Sequence, residues 1–244
     1  MLTERDIAQS ASQTYVDEGL RQYMLKVYNY MSGGLCLTAL VSFLIMNSPA
    51  AISLFFTVSP AGMITGMSGL GWLALFAPFI MVFAFGWVIA RGSLRQVQLT
   101  FGAFAALMGV ALAPTLLVYT GASVTRIFLI TAAMFGAMSL YGYTTKKDLT
   151  SMGAFLRMGL WGIIIAMLVN LFLQSPGMYY ALSVLSVLVF TGLTAYDTQT
   201  IRRIYSEYDG TDGNSRKAVA GALSLYMDFI NIFIALLNLF GERR

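Results

Sequence analysis

Residues 27–90 read VYNYMSGGLCLTALVSFLIMNSPAAISLFFTVSPAGMITGMSGLGWLALFAPFIMVFAFGWVIA, and none of these 64 side chains carries a charge. Lys26 and Arg91 flank the run. Residues 158–196, between Arg157 and Asp197, are equally uncharged. A water-soluble core cannot enclose so much apolar sequence in a chain of 244 residues. A bilayer can, because its hydrocarbon layer of about 30 Å takes about 20 apolar residues per helix. The chain is 58% hydrophobic and 11% charged, roughly half the charged share of soluble domains, and its mean hydropathy is +0.73. These values exclude a soluble globular domain and a disordered chain. Membrane strands would be short, alternating segments closed into a barrel. The long runs here do not alternate, so the fold class is an all-α polytopic membrane protein.

Seven spans fit the pattern, at 27–46, 72–90, 99–119, 127–145, 158–174, 179–201 and 219–240. The segment Ala51 to Val58 is apolar but too short to cross, which suits the interface or a re-entrant loop. Residues 1–22 form a polar N-terminal tail without the basic start and apolar core of a secretory signal, and residues 23–244 form a seven-helix membrane domain. Arg5, Arg21, Lys26, Arg91, Arg95, Lys146, Lys147, Arg157, Arg202, Arg203, Arg216 and Lys217 fall on one side. Arg126, Arg243 and Arg244 fall on the other. The positive-inside rule places the N-terminus in the cytoplasm and the C-terminus outside. The final Glu-Arg-Arg pulls the other way, and a re-entrant last segment would satisfy it. The net charge of +4 reflects this sidedness rather than a nucleic-acid partner.

The single cysteine, Cys36, allows no intrachain disulfide, and the absence of histidine removes histidine catalysis and the usual near-neutral switch. Gly62, Gly66, Gly69 and Gly71 resemble a phosphate loop only loosely, since no Gly-Lys-Ser/Thr follows. Gly102, Ala106, Gly109 and Ala113 share one face of the third span, as close helix packing requires. Pro78 and Pro114 interrupt the donor pattern of the second and third spans.

Of eleven acidic residues only Asp197 and Asp228 lie well inside apolar sequence. A carboxylate there costs about 2.5–3.5 kcal/mol on insertion scales, so such residues face the bundle interior and bind ions, relay protons or meet a cation. Asp197 precedes Arg202 by about 7.5 Å of helix and Asp228 follows Lys217 by about 16 Å, so both fall in the cytoplasmic half. Lys217, Gly221, Ser224, Asp228, Asn231, Ala235 and Asn238 recur at helical spacing in the seventh span, opposite Leu225, Phe229, Phe233 and Leu236. Ser183, Ser186, Phe190, Thr194 and Asp197 make a weaker seam in the sixth. Interhelical hydrogen bonding alone can explain such seams; an ion or proton site explains them together with the carboxylates. Two carboxylates in a low dielectric do not both ionise readily, so they share one proton, which supplies a pH response without histidine. Arg91 is the nearest candidate cation, able to swing onto an aspartate or simply to snorkel to the headgroups.

Several stretches resemble the Bax inhibitor-1 family in its bacterial branch. They are Tyr141-Gly142-Tyr143-Thr144-Thr145-Lys146-Lys147-Asp148-Leu149, Phe155-Leu156-Arg157-Met158-Gly159-Leu160, Tyr196-Asp197-Thr198-Gln199 and Leu225-Tyr226-Met227-Asp228-Phe229-Ile230-Asn231. The resemblance covers nearly the whole chain. It implies a seven-helix bundle with the last helix central, in a bacterial inner membrane. It also implies a pH-sensitive calcium leak controlled by an aspartate pair at Asp197 and Asp228, with Arg91 as the matching latch of the closed state. Some bacterial members instead bind and restrain a membrane-anchored ATP-dependent protease.

Calcium prefers oxygen ligands, and the seams offer carboxylates, amides and hydroxyls, with Ser224, Asn231, Asn238 and Thr194 beside the pair. Ca²⁺ is therefore expected as a transiently bound permeant ion at Asp197 and Asp228, with no tightly bound cofactor. The polar N-terminal tail is the candidate docking segment for a protease partner. An intramembrane aspartyl protease fits poorly, because Leu225-Tyr226-Met227 precedes Asp228 where that class has Gly-x-Gly; the chain is not expected to be an enzyme.

Overall fold

A computed structural model describes residues 4–59 and 64–244 of the chain. Seven long helices dominate it: α1 (Glu4–Met46), α3 (Gly69–Arg91), α4 (Leu94–Val118), α5 (Gly121–Thr144), α6 (Thr150–Leu173), α7 (Pro176–Arg203) and α8 (Gly210–Phe240). Each holds a stretch long and apolar enough to cross a membrane. All seven expected spans are present, and each is longer than its apolar window. Polar residues extend and cap the helices beyond the hydrocarbon layer. Ser93 and Gln96 form a reciprocal capping box at the start of α4, Ser175 caps α7 ahead of Pro176, and Thr120 caps α5. Such a cap contributes about 1 kcal/mol. Pro78 and Pro114 lie inside α3 and α4, which continue through them. Residues 4–22 continue the first span as helix; Met1 to Thr3 of the tail and Gly62 of the glycine cluster lie outside the described residues.

The connection after α1, expected in the interface or a re-entrant loop, is structured. It holds a short helix, α2 (Pro49–Phe55), then β1 (Phe56–Val58) paired antiparallel with β2 (Ile64–Met67). Phe56 packs with Ile45 and Ala113, so the hairpin sits over the ends of α1 and α4. Segments of three and four residues are too short for an alternating pattern to stand out from an apolar run.

Helix α8 is the most enclosed. Of its most apolar stretch 72% is buried, against at most 39% for any other span. It packs against α1, α3, α4, α5 and α7. Helix α6 is the most peripheral, with 6% buried, and rests chiefly on α7. Phe83 on α3 and Phe172 on α6 are almost fully exposed, as side chains bathed in lipid can be. Burial without a hydrophobic drive between helices needs close backbone approach. Gly142 supplies it between α5 and α7: a Cβ there would lie 2.2 Å from the Ala195 carbonyl oxygen. Of the small-residue face on α4, Gly109 behaves as expected, lying against the Thr38 carbonyl of α1, whereas Gly102 has open space beside it.

The two chain ends lie at opposite ends of the bundle. At one end the Tyr23 ring of α1 packs at a tilt of 39° against Tyr205 in the α7–α8 connection, with ring centroids 5.4 Å apart. At the other, Glu242 pairs with Arg126 at 2.9 Å, and Thr120 donates its backbone N–H to the Glu242 carbonyl. Helix α8, with 31 residues, is about 46 Å long. That is long enough to cross a membrane, and the Glu of the final Glu-Arg-Arg is paired locally with Arg126.

Candidate functional site

Asp228 sits at the middle of α8, only 4% exposed. Its neighbours fix the helix in place. Tyr226 packs edge-on against Phe101 and Phe104 of α4, and its hydroxyl meets the Thr38 hydroxyl at 2.7 Å. Thr38 donates onward to the Ala105 carbonyl at 2.8 Å, which binds α1, α4 and α8 together. Phe229 packs against Phe128 and Phe135 of α5. Within this apolar setting the Asp228 Oδ2 has no hydrogen-bond partner.

Asp197 lies on α7, half-buried, and α7 packs against α8. The residues around it are held tightly. Thr194 is fully buried and donates to the Phe190 carbonyl of its own helix. Thr198 joins a hydroxyl chain across three helices, with Ser139 at 3.0 Å and Tyr28 a further 2.6 Å away. Gln199 accepts from the Leu149 N–H and donates to the Lys147 carbonyl, tying α7 to the α5–α6 turn. Two of the four residues of Tyr196-Asp197-Thr198-Gln199 thus hold the helix that presents the carboxylate.

Arg91 does not join the pair. It is exposed at the end of α3, beside Trp87 and Gln96, and forms no ion pair among the described residues. The cation next to this stretch of α7 is Arg157 of α6, which contacts Tyr196. Its guanidinium donates to the Tyr196 hydroxyl at 3.1 Å and lies 5.0 Å from the centre of that ring. Close contact between α6 and α7 makes this possible, since a Cβ on Gly153 would lie 2.3 Å from the Tyr196 ring. Sequence reading used Arg157 only to mark a membrane side. Nothing in its spacing from Tyr196, across two helices, announces the contact.

The expected seam on α8 divides. Ser224 faces outward. Asn231 donates to the Met227 carbonyl and lines a cavity of about 300 Å³ against Pro78 and Thr115. Asn238 accepts from the Tyr119 hydroxyl at 3.2 Å, far along the helix. The opposite positions Leu225, Phe229, Phe233 and Leu236 are buried as well. A helix buried over most of its surface has a wide inward face, so polar periodicity alone does not mark it. On α7, Ser183, Ser186, Phe190 and Thr194 are buried as a set. Among the described residues no three histidine, cysteine or acidic side chains gather as a metal cluster.

The family model described as "Inhibitor of apoptosis-promoting Bax1" matches residues 20–244. The inner membrane protein YbhL of Escherichia coli K12 is 43% identical over 230 residues, covering 93% of this chain and 94% of that protein. An uncharacterized protein of Rickettsia prowazekii, RP147, is 43% identical over 235 residues, covering 96% and 95%. An uncharacterized protein of Caulobacter vibrioides is 40% identical over 241 residues, covering 98% and 96%.

Proposed function

The chain belongs to the Bax inhibitor-1 family of membrane proteins, and from that premise we propose that it is a pH-sensitive calcium leak of the inner membrane, governed by Asp197 and Asp228. YbhL, by its name an inner membrane protein, supports the location. The observation that carries the reading is the enclosed Asp228 carboxyl, with one oxygen unpartnered, on a helix packed against the one that holds Asp197. An unpaired ionised carboxylate in such a place costs several kcal/mol. A proton or a passing cation must therefore accompany it, and the two compete for the same oxygens. Competition of this kind gives a leak whose rate follows pH. Two carboxylates with nearby hydroxyls and carbonyls make a weak oxygen site for Ca²⁺, which suits an ion that must leave again. The N-terminal end of the bundle, where most basic residues gather, is taken as cytoplasmic.

The test is calcium flux into proteoliposomes between pH 6 and 8. Asp228→Asn should lower flux at all pH values. Asp197→Asn should flatten the pH profile. If both variants match the parent protein, the pair is structural. The better reading is then a regulator of a membrane-anchored protease, to be tested by co-purification after deletion of residues 2–20.

A further inference from the structure

A cavity of about 380 Å³ opens on the outer surface of the bundle, where the end of α3 meets the start of α4. Both helices are apolar spans, and Arg91 ends the uncharged run of α3. The turn between them therefore marks the edge of the hydrocarbon layer. Trp87, one helical turn further in, lines the cavity and is 63% exposed, as aromatic side chains of the membrane interface are. Leu99 lines it from α4 and is similarly exposed.

The polar groups left open in this cavity are donors. Arg91 is exposed and has no hydrogen bond or ion pair among the described residues. Gln96 accepts from the Ser93 N–H through its Oε1 at 2.8 Å, within the capping box of α4. That bond fixes the amide and leaves its Nε2 without a partner among the described residues. The Gly92 carbonyl already accepts from the Arg216 guanidinium of α8 at 3.2 Å, and the Thr100 hydroxyl donates to the Gln96 carbonyl at 2.8 Å.

The charge around the cavity has one sign. Arg95 adjoins Gln96, and neither it nor Arg216 is in an ion pair among the described residues. No acid occurs between Glu18 and Asp148, so α3 and α4 hold none. At the start of α8, Asp209 is paired with Lys217. Asp212, exposed one turn before Arg216, does not line the cavity. An anion is matched here, whereas the ammonium of a zwitterionic lipid meets no carboxylate on these walls.

We propose that this cavity binds an anionic glycerophospholipid of the phosphatidylglycerol type. Its phosphate accepts from the Arg91 guanidinium and from Gln96 Nε2, and its acyl chains run along Trp87 and Leu99 into the bilayer. Basic pockets at this level of a membrane protein recognise such headgroups. The site stands apart from the aspartate pair, so lipid retention reads it.

The full-length protein, reconstituted in bilayer discs holding equal phosphatidylglycerol and phosphatidylcholine, is extracted and its retained lipid measured by native mass spectrometry. Phosphatidylglycerol should be retained in clear excess. Arg91→Gln should reduce that excess by about tenfold, the worth of one charge-assisted hydrogen bond. Gln96→Glu should reduce it at least as much. Glu serves equally in a capping box, so the fold is kept while a donor is replaced by a negative charge. Lys146→Gln removes an exposed charge from the α5–α6 turn and should leave the excess unchanged. Equal retention of the two lipids, or an excess unchanged in both cavity variants, overturns the proposal. An equal loss in Lys146→Gln overturns it in favour of diffuse attraction. Displacement of the retained lipid by inorganic phosphate overturns it in favour of a free-anion site.

Discussion

Arg157 of α6 and Tyr196 of α7 are joined twice, by a hydrogen bond of 3.1 Å and by the guanidinium lying 5.0 Å from the ring centre. The pairing fixes the guanidinium on the residue that precedes Asp197 in α7. An opposite charge favours the ionised carboxylate, and an ionised carboxylate is what attracts Ca²⁺. Arg157→Gln should therefore lower calcium flux at pH 7 by about fivefold, the effect of about 1 kcal/mol. Arg91→Gln should leave flux unchanged, since Arg91 is exposed and unpaired among the described residues. The reverse ranking would restore Arg91 as the controlling cation.

Gly142 makes the tightest approach between α5 and α7, where an added Cβ would meet the Ala195 carbonyl oxygen at 2.2 Å. The obstacle is backbone, which cannot rotate away. Gly142→Ala should lower stability by about 1–3 kcal/mol, the range for overpacking. Gly136 lies on the same helix with nothing within 4 Å of its added Cβ, so Gly136→Ala should be neutral or stabilising by up to about 1 kcal/mol. Thermal unfolding in detergent separates the two. Equal effects would mean that helix propensity, not contact, governs both positions.

The seven spans were legible because each is a long uncharged run, and lipid leaves a helix few other choices. Asp197 and Asp228 were legible for the same reason, as the two acids deep within such runs. What sequence did not reveal depends on which helices touch. Arg157 lies 39 positions before Tyr196 and meets it only because α6 rests on α7. Arg91 lay at a suitable depth, but α3 presents it to the outer α3–α4 surface. The seam on α8 divides because the helix buries Asp228 and the opposite apolar positions while Ser224 stays exposed. The hairpin at 56–67 went unseen because its pairing rests on backbone hydrogen bonds, which leave little trace in so short a stretch.

Asp148, in the turn between α5 and α6, accepts from the Thr150 N–H and hydroxyl and from Arg203 at 2.9 Å. Chiefly the Thr150 bonds, with help from Arg203, hold its carboxyl down to about 2 from the usual 3.8. A carboxyl lowered by folding stabilises the folded state above its unfolded value, and the benefit fades as pH falls through the folded value. Asp148→Asn should therefore loosen this turn slightly at pH 7. The difference from the parent protein should close between about pH 4 and pH 2. Amide exchange at residues 148–152 reads it, and a difference that persists at pH 2 would assign the effect to packing instead.

The last prediction concerns the far end of α8. Glu242 donates its N–H to the Ser123 hydroxyl and accepts from Thr120, and Arg244 donates its backbone N–H to the Val118 carbonyl. With the Arg126 pair, these bonds clamp the end of α8 to the α4–α5 connection. The ion pair is solvent-exposed and worth at most about 1 kcal/mol. The backbone bonds contribute about 1 kcal/mol each. Glu242→Gln should thus change unfolding little, while truncation after Gly241 should cost about 2–3 kcal/mol. The same clamp sets the topology test. With Cys36 replaced by serine, a cysteine at position 244 should react with a membrane-impermeant maleimide in intact cells. A cysteine at position 4 should react only after permeabilisation. Labelling of both from outside would contradict seven crossings, and labelling of position 4 alone would invert the orientation.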